Sequence, residues 1–258
     1  MGFFFLDDSS HPEAGFSVTS FVFSHSDPQR DIESLLIRHR LTPGKDEYKS
    51  STRMDHNSAY VAIREDLKEY LSRNCKVGVA ISKTRDDIYQ DASRLLQKML
   101  KHPDIGSGHH QVFVDQGIFP THEKRAAIER IDCADSCTFN YEQDSKKVYG
   151  IQLADLSAHV CAIMMKDSLG LITKKVKSGE NSGYDPDSEM ELGFEMFATI
   201  RYAFLGVFAP YIEEPSNRIL QPMLMISDYG LEISSKLDDK IHEAAKSRFE
   251  SLYLGCIH

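Results

Sequence analysis

The sequence predicts an α/β fold, and three observations predict it. Short apolar runs stop at aspartates twice, at residues 3–6 before Asp7 and Asp8, and at residues 111–114 before Asp115. Segments with an apolar period of two alternate with segments of period 3.6, the signatures of strands and of amphipathic helices. The 258 residues, 41% hydrophobic and 27% charged, suffice for one sizeable core and are ordinary for a globular chain.

The elements follow in order. Phe3 to Leu6 is continuously apolar, as a strand buried on both faces is. After a turn around His11 to Gly15, Phe16 to Ser24 sets Phe16, Val18, Ser20 and Val22 against Ser17, Thr19, Phe21 and Phe23, the second strand of a hairpin. Asp27 caps a helix that starts at Pro28 and is ended by Pro43-Gly44. A helix over Asn57 to Ser72 turns Val61, Leu67 and Leu71 inward; Lys76 to Ser82 is a strand; Asp86 to Leu100 is a helix with Ile88, Ala92, Leu95, Leu96 and Met99 as its stripe. Strand Gln111 to Val114, a helix over His122 to Ile131, a strand over Thr138 to Tyr141 and a buried helix over Val148 to Met165 complete a core of residues 1–167. Residues 168–188, with Gly170, Gly179, Gly183 and Pro186, are expected as a surface insertion or flexible loop. Residues 189–258 are expected as a mainly helical extension: a helix Glu189 to Phe208 with Phe197, Ile200, Phe204 and Phe208 on one stripe, the apolar segment Met223 to Ile226, and a helix Leu231 to Tyr253. Such an extension packs on the core, on a partner protein, or on a second copy as a homo-oligomer.

Composition narrows the function. No apolar run reaches the roughly eighteen residues of a membrane span, and the opening MGFFFLDDSS meets two aspartates before any signal-like cleavage site, so a cytoplasmic chain is expected. Cys75, Cys133, Cys137, Cys161 and Cys256 are odd in number and irregularly spaced, which predicts reduced thiols; Cys133 and Cys137 lack a second ligand pair for zinc. A net charge of -9 excludes a uniformly basic nucleic-acid-binding surface, leaving local patches such as Lys146 with Lys147, or Lys174, Lys175 and Lys177, which read equally well as solvated faces. Clustered carboxylates, however, are what divalent metals require.

Asp7 and Asp115 are placed for such chemistry if their strands are neighbours, because side chains at strand ends point into the crevice beyond an open sheet. Asp155 sits among Ile151, Leu156 and Val160 on an apolar helix, where a carboxylate needs a cation, hydrogen bonds or water. Gln152 and His159 lie three residues before and four after it, on the same helical face. Spacing alone leaves open whether that face meets a metal or solvent. Ser9, Ser10 and His11 read as turn chemistry rather than as a nucleophile site, since no Gly-x-Ser-x-Gly elbow surrounds them. His109 and His110 precede a strand and are left out.

Four short segments resemble the domain-of-unknown-function 3800 family: Phe5-Leu-Asp7-Asp8-Ser9 its strand end, Glu47-Tyr48-Lys49 its Glu-x-Lys segment, Val114-Asp115 its internal strand end, and Gln152-Leu-Ala-Asp155 its Gln-x-x-Asp helix. The resemblance covers residues 3–160. It implies a ribonuclease H-like mixed sheet flanked by helices and a two-metal nuclease using Mg2+ or Mn2+ on DNA or RNA. Family members recur near mobile elements and phage-defence genes. By that resemblance Asp7, Asp115 and Asp155 are metal ligands, Glu47 is a fourth carboxylate or general base, and Lys49 is a phosphate contact. Asp8 stands where the family has glutamate, one methylene shorter. Asp8, Gln152 and His159 are expected in supporting positions. The rival functions are hydrolysis of a smaller phosphate ester with the same carboxylates, and a non-catalytic scaffold docking through the C-terminal helices.

Overall fold

A computed structural model describes residues 1–52, 54, 57–178, 185–210 and 223–255. In chain order its strands are β1 (Gly2–His11), β2 (Phe16–Ser24), β3 (Cys75–Ser82), β4 (His110–Asp115), β5 (Cys137–Gln143), β6 (Lys175–Lys177), β7 (Glu189–Glu191), β8 (Val207–Phe208), β9 (Met223–Met225), β10 (Leu231–Ile233) and β11 (Ser251–Tyr253). Its helices are α1 (Gln29–Arg38), α2 (Ser58–Asn74), α3 (Ile88–Leu100), α4 (His122–Ile128), α5 (Gly150–Ser168), α6 (Leu192–Ile200) and α7 (Asp239–Phe249).

Six strands form one sheet in the order β10-β3-β2-β1-β4-β5. Strand β2 runs against both its neighbours, while β4 is parallel to β1 and to β5, and β10 is parallel to β3. This is the mixed sheet flanked by helices that the sequence leads one to expect. The β1–β2 hairpin turns at Gly15, whose φ of 78° is one that glycine adopts without strain.

The period of two divides the sheet into two faces. Phe5, Val18, Val22, Val77 and Val79 face one core with α2, α5, α6 and α7; Phe4, Leu6, Phe21, Phe23 and Val112 face the other with α3. Helix α5 is buried nearly all round, and its first residue is glycine for a steric reason: a Cβ on Gly150 would stand 2.3 Å from the Phe5 ring. Helix starts follow local chemistry. The Asp27 carboxylate accepts from the Gln29 N–H at the head of α1, and Asn57 and Thr121 cap α2 and α4.

Several expected elements differ. Strand β1 does not stop at Asp7 but continues to His11, so Ser9, Ser10 and His11 are strand residues rather than a turn. Helix α1 ends at Arg38, well before Pro43. On α2, Val61 is exposed and Ile63 takes the inward place. The helix expected from Glu189 to Phe208 is a short strand, the nine-residue α6, one 3-10 turn and β8. It breaks because Phe204 turns extended and the Leu205 N–H reaches the Val77 carbonyl on the rim of β3 at 2.9 Å, a tertiary bond that overrides helical spacing. The helix expected from Leu231 to Tyr253 is strand, helix and strand, because β10 completes the sheet beside β3. Of the apolar stripe that the scaffold reading would use for docking, Phe197, Ile200 and Phe204 are buried in this chain's own core with Met196, and Phe208 is exposed. Within 168–188, β6 pairs with β7, and residues 179–184 lie outside the described residues, as do 211–222 and Cys256. Among the described residues no helix is long and apolar enough to cross a membrane.

Candidate active site

Sheet register brings Asp7 and Asp115 together. Leu6 of β1 pairs with Val114 of β4, so the two aspartates occupy successive positions on parallel neighbours and share a face. Phe5 and Phe113, two residues earlier on that face, stack with centroids 5.5 Å apart and planes 15° apart. Helix α5 covers the same face, starting at Gly150 over Phe5. Two residues along β1 advance about 6.6 Å and five along α5 about 7.5 Å, which carries Asp155 to the level of Asp7. A hydrogen bond fixes this alignment: Ser20, the β2 partner of Asp7, donates to the Ser157 hydroxyl oxygen at 2.8 Å.

The side chains of α5 then grip the segment that holds Glu47 and Lys49. Gln152 accepts from the Tyr48 N–H at 2.8 Å and donates to the Ser145 carbonyl at 2.9 Å. Asp155 accepts from the Ser50 N–H at 2.8 Å and, through its other oxygen, from the Ser50 hydroxyl. Two acceptors three residues apart on one helix face therefore hold two N–H groups two residues apart on an extended segment. Tyr48 is sunk into the core between them, and Glu47 and Lys49 flank it. The Ser145 hydroxyl donates to the Glu47 carboxylate, whose other oxygen lies 4.0 Å from the Lys146 ammonium.

Electrostatics confirm the convergence. Asp7 and Asp155 are each 9% exposed. Burial holds the Asp7 carboxyl well above its ordinary range, and the charges of Asp155 and Asp115 push it further, against one backbone hydrogen bond from Asp8. Burial also raises Asp155; the Ser50 hydrogen bonds and Lys49 oppose the rise and Glu47 adds to it. Asp115 is raised by burial and by Asp155 and Asp8, against the Gln116 N–H and Lys49. Burial alone would lower the Lys49 ammonium, but Glu47, Asp115, Asp7 and Asp155 together hold it above its usual value. Two buried carboxylates and the half-buried Asp115 thus repel one another around Lys49.

Of the supporting residues, Gln152 is part of this centre and Asp8 is not. Asp8 follows Phe4 and Leu6 onto the opposite face, where it accepts from Ser10 at 2.6 Å and pairs with Arg85 at 3.3 Å. His159 stands one turn beyond Asp155, and burial, then His11, Lys166 and Arg64, push it down to about 4, so it is neutral at pH 7. His110 begins β4, the end remote from Asp115, and His109 precedes it; His109 meets Thr138 and His110 packs against Phe4 and Phe23. Sequence reasoning missed Ser50 and Ser145, the hydroxyls that hold Asp155 and Glu47. Ser50 adjoins the Glu-x-Lys segment and was findable there; Ser145 had no signal. It also missed the irregularity in β5 beside Asp115, where Glu142 adopts a φ of 53°. That strained residue uses its carboxylate to accept from the Gly117 N–H at 3.1 Å and to pair with Arg125 at 3.0 Å.

The donor set suits a hard divalent cation, since only oxygen ligands are offered and their mutual repulsion is what a cation relieves. Yet among the described residues no group of three or more His, Cys, Asp or Glu side chains is arranged to hold a metal ion. In the structure Ser50 bonds both oxygens of Asp155, and Ser145 bonds one of Glu47.

No protein-family model matches the sequence, and no curated protein matches it. Among solved structures the chain is similar to one from the structure of the PCNA:RNase HII complex from Archaeoglobus fulgidus, at 12% identity, over 72% of this chain and 84% of that one, with a TM-score of 0.41.

Proposed function

We propose that the chain is a divalent-metal-dependent nuclease that hydrolyses phosphodiester bonds of DNA or RNA, and that it belongs to the domain-of-unknown-function 3800 family. One observation carries the reading: three carboxylates from β1, β4 and α5, two of them buried and Asp115 half-buried, converge on Lys49, each held above its ordinary range. An arrangement so costly to the fold marks a site kept for binding. The family resemblance gains a physical reason as well, because the Gln-x-x-Asp helix and the Glu-x-Lys segment hydrogen-bond to one another.

In this reading Asp7, Asp115 and Asp155 hold the cation. Bound Mg2+ or Mn2+, as a pair of ions, supplies Lewis-acid stabilisation of the attacking and leaving oxygens. Lys49 offsets the negative charge that gathers on the phosphoryl oxygens. Glu47 takes a proton from the attacking water, with Ser145 fixing its orientation. Gln152 binds no substrate but keeps Tyr48 seated, and with it the directions of Glu47 and Lys49.

The test is cleavage of end-labelled single- and double-stranded DNA and RNA with Mg2+ or Mn2+, with and without EDTA. Wild type is expected to cut only with metal, and Asp7→Asn and Asp155→Asn are expected to be inert. Wild-type-like cutting by both variants would overturn the reading.

A further inference from the structure

Strands β4 and β5 keep parallel register from His110 with Cys137 to Phe113 with Asn140, and then the register shifts, so that Asp115 pairs with Gln143. Two steps along β4 are matched by three along β5, the mark of one extra residue in the outer strand. Phe139 and Tyr141 pack on the α3 side of the sheet, so regular alternation would carry Glu142 to the other side, opposite Asp115. A fourth carboxyl group would then join Asp7, Asp115 and Asp155 and add to their repulsion.

The bulge prevents this. Glu142 takes a left-handed φ of 53°, and its carboxylate reaches the turn that follows Asp115, where it accepts from the Gly117 N–H at 3.1 Å. Arg125 of α4 donates to the Phe119 carbonyl at 2.8 Å and to the other Glu142 oxygen at 3.0 Å. Its guanidinium also lies over the Tyr141 ring, 4.9 Å from the centroid. A closed ring results: Glu142 holds the turn by an N–H, Arg125 holds it two residues later by a carbonyl, and the two side chains hold each other. Between and beside these bonds, Ile118 and Phe119 are buried in the α3-side core. A partly exposed ion pair adds little stability, whereas a glutamate at positive φ is a standing strain. Strain kept for so small a return, at the root of an acid in the candidate centre, points to placement of that acid.

We propose that Glu142 and Arg125 are positioning residues that fix the direction of the Asp115 carboxyl group through the turn 116–119, while the bulge keeps a fourth acid out of the centre and sets the neutral Gln143 opposite Asp115. The proposal rests on the reading of Asp115 as a metal ligand and deepens it. Both residues act through the turn and not on the metal. Groups that orient a ligand at one remove govern metal affinity by about tenfold to a hundredfold.

The experiment reads binding and folding separately. Isothermal titration calorimetry follows Mn2+ binding to the full chain without turnover, and calorimetric melting of the metal-free chain reports the fold. Glu142→Gly removes the carboxylate but leaves a residue at ease at positive φ; it should weaken Mn2+ binding about tenfold and keep the melting temperature within about 3 °C of wild type. Glu142→Gln keeps an acceptor for the Gly117 N–H and should retain most of the affinity. Arg125→Met releases the Phe119 carbonyl and Glu142 together, should weaken binding as Glu142→Gly does, and carries the test should Glu142→Gly fail to fold. In cleavage at limiting Mn2+, kcat should fall in both weakened variants while KM for the strand holds. Wild-type affinity in Glu142→Gly and Arg125→Met would overturn the clamp and leave the nuclease reading standing, and so would a Glu142→Gln as weak as Glu142→Gly. A wild type that binds no Mn2+ would overturn both.

Discussion

Two buried acidic clusters sit on opposite sides of the sheet, and the protein treats them differently. Between α3 and β10, Asp91 and Glu232 are matched by cations: Arg94 contacts both, at 2.6 Å from Glu232, and Lys98 lies 2.8 Å from Glu232. Over β1 and β4, Asp7, Asp115 and Asp155 share Lys49 as the nearby cation among the described residues. Burial raises Asp91 and Asp7 alike. Ser82, Arg94 and Ser234 then draw Asp91 back down, with Glu232 opposing them, whereas Asp155 and Asp115 drive Asp7 higher. In the first cluster each acid meets at least one cation, and these pairs tie a C-terminal strand to a helix. Among the described residues the second has the smaller share of positive charge, which is what a bound cation would supply.

The contrast can be broken most sharply by neutralising an acid on each side. Asp7→Asn should cut metal-dependent cleavage by about a thousandfold or more, the scale of losing a central electrostatic contribution, and should raise the melting temperature of the metal-free protein. Differential scanning calorimetry beside the cleavage assay checks both signs. In the matched cluster the direction reverses: Arg94→Met leaves Asp91 and Glu232 undercompensated and should cost about 2–3 kcal/mol, discounted because the arginine is half exposed. Urea titration reads this loss, and kcat in the folded fraction should not move.

A smaller effect sharpens what holds the open cluster together. Gln152→Leu deprives the Tyr48 N–H and the Ser145 carbonyl of partners and should destabilise by about 1–3 kcal/mol. Because Gln152 positions Glu47 and Lys49 without touching substrate, kcat should fall more than KM rises. The smallest effect is one of pH. Asp7 has a folded-state pKa above its unfolded value, so its protonated form favours the fold. That stability is fully present below about pH 3.9, the unfolded value, and is lost as pH rises through the raised folded value. The Asp7→Asn variant should therefore match wild type in acid and gain on it progressively toward neutrality, with Mg2+ closing the gap at neutral pH alone. A constant difference across pH would show that Asp7 is not strained by its neighbours.

Much of this was legible before any coordinates. The apolar runs before Asp7 and Asp115 located the two central parallel strands, because only a strand buried on both faces is apolar without interruption. The i-3 relation of Gln152 to Asp155 marked one helix face, and the family resemblance paired it with Glu47 and Lys49. Period two already separated Asp7 from Asp8, but which of them met α5 depended on where the helix lay. The hidden parts share a cause. Strand β10 has three residues, too few to display a period, and Phe204 and Leu205 owe their extended form to a bond with Val77 far earlier in the chain. Ser145 acts through a hydroxyl on a loop, where no pattern constrains residue type.

The late position of β10 bears on how the protein is made. Its partner β3 comes off the ribosome about 150 residues earlier, and until Leu231–Ile233 and Leu205 arrive, the outer rim of β3 has no strand to pair with. Unpaired rims of this kind recruit whatever extended chain is nearest, including a neighbouring nascent copy. Pairing across such a distance also slows the final step of folding. Translation that stalls before residue 231 should therefore yield a nearly complete sheet with one adhesive margin, and aggregation of such fragments is the hazard this topology carries.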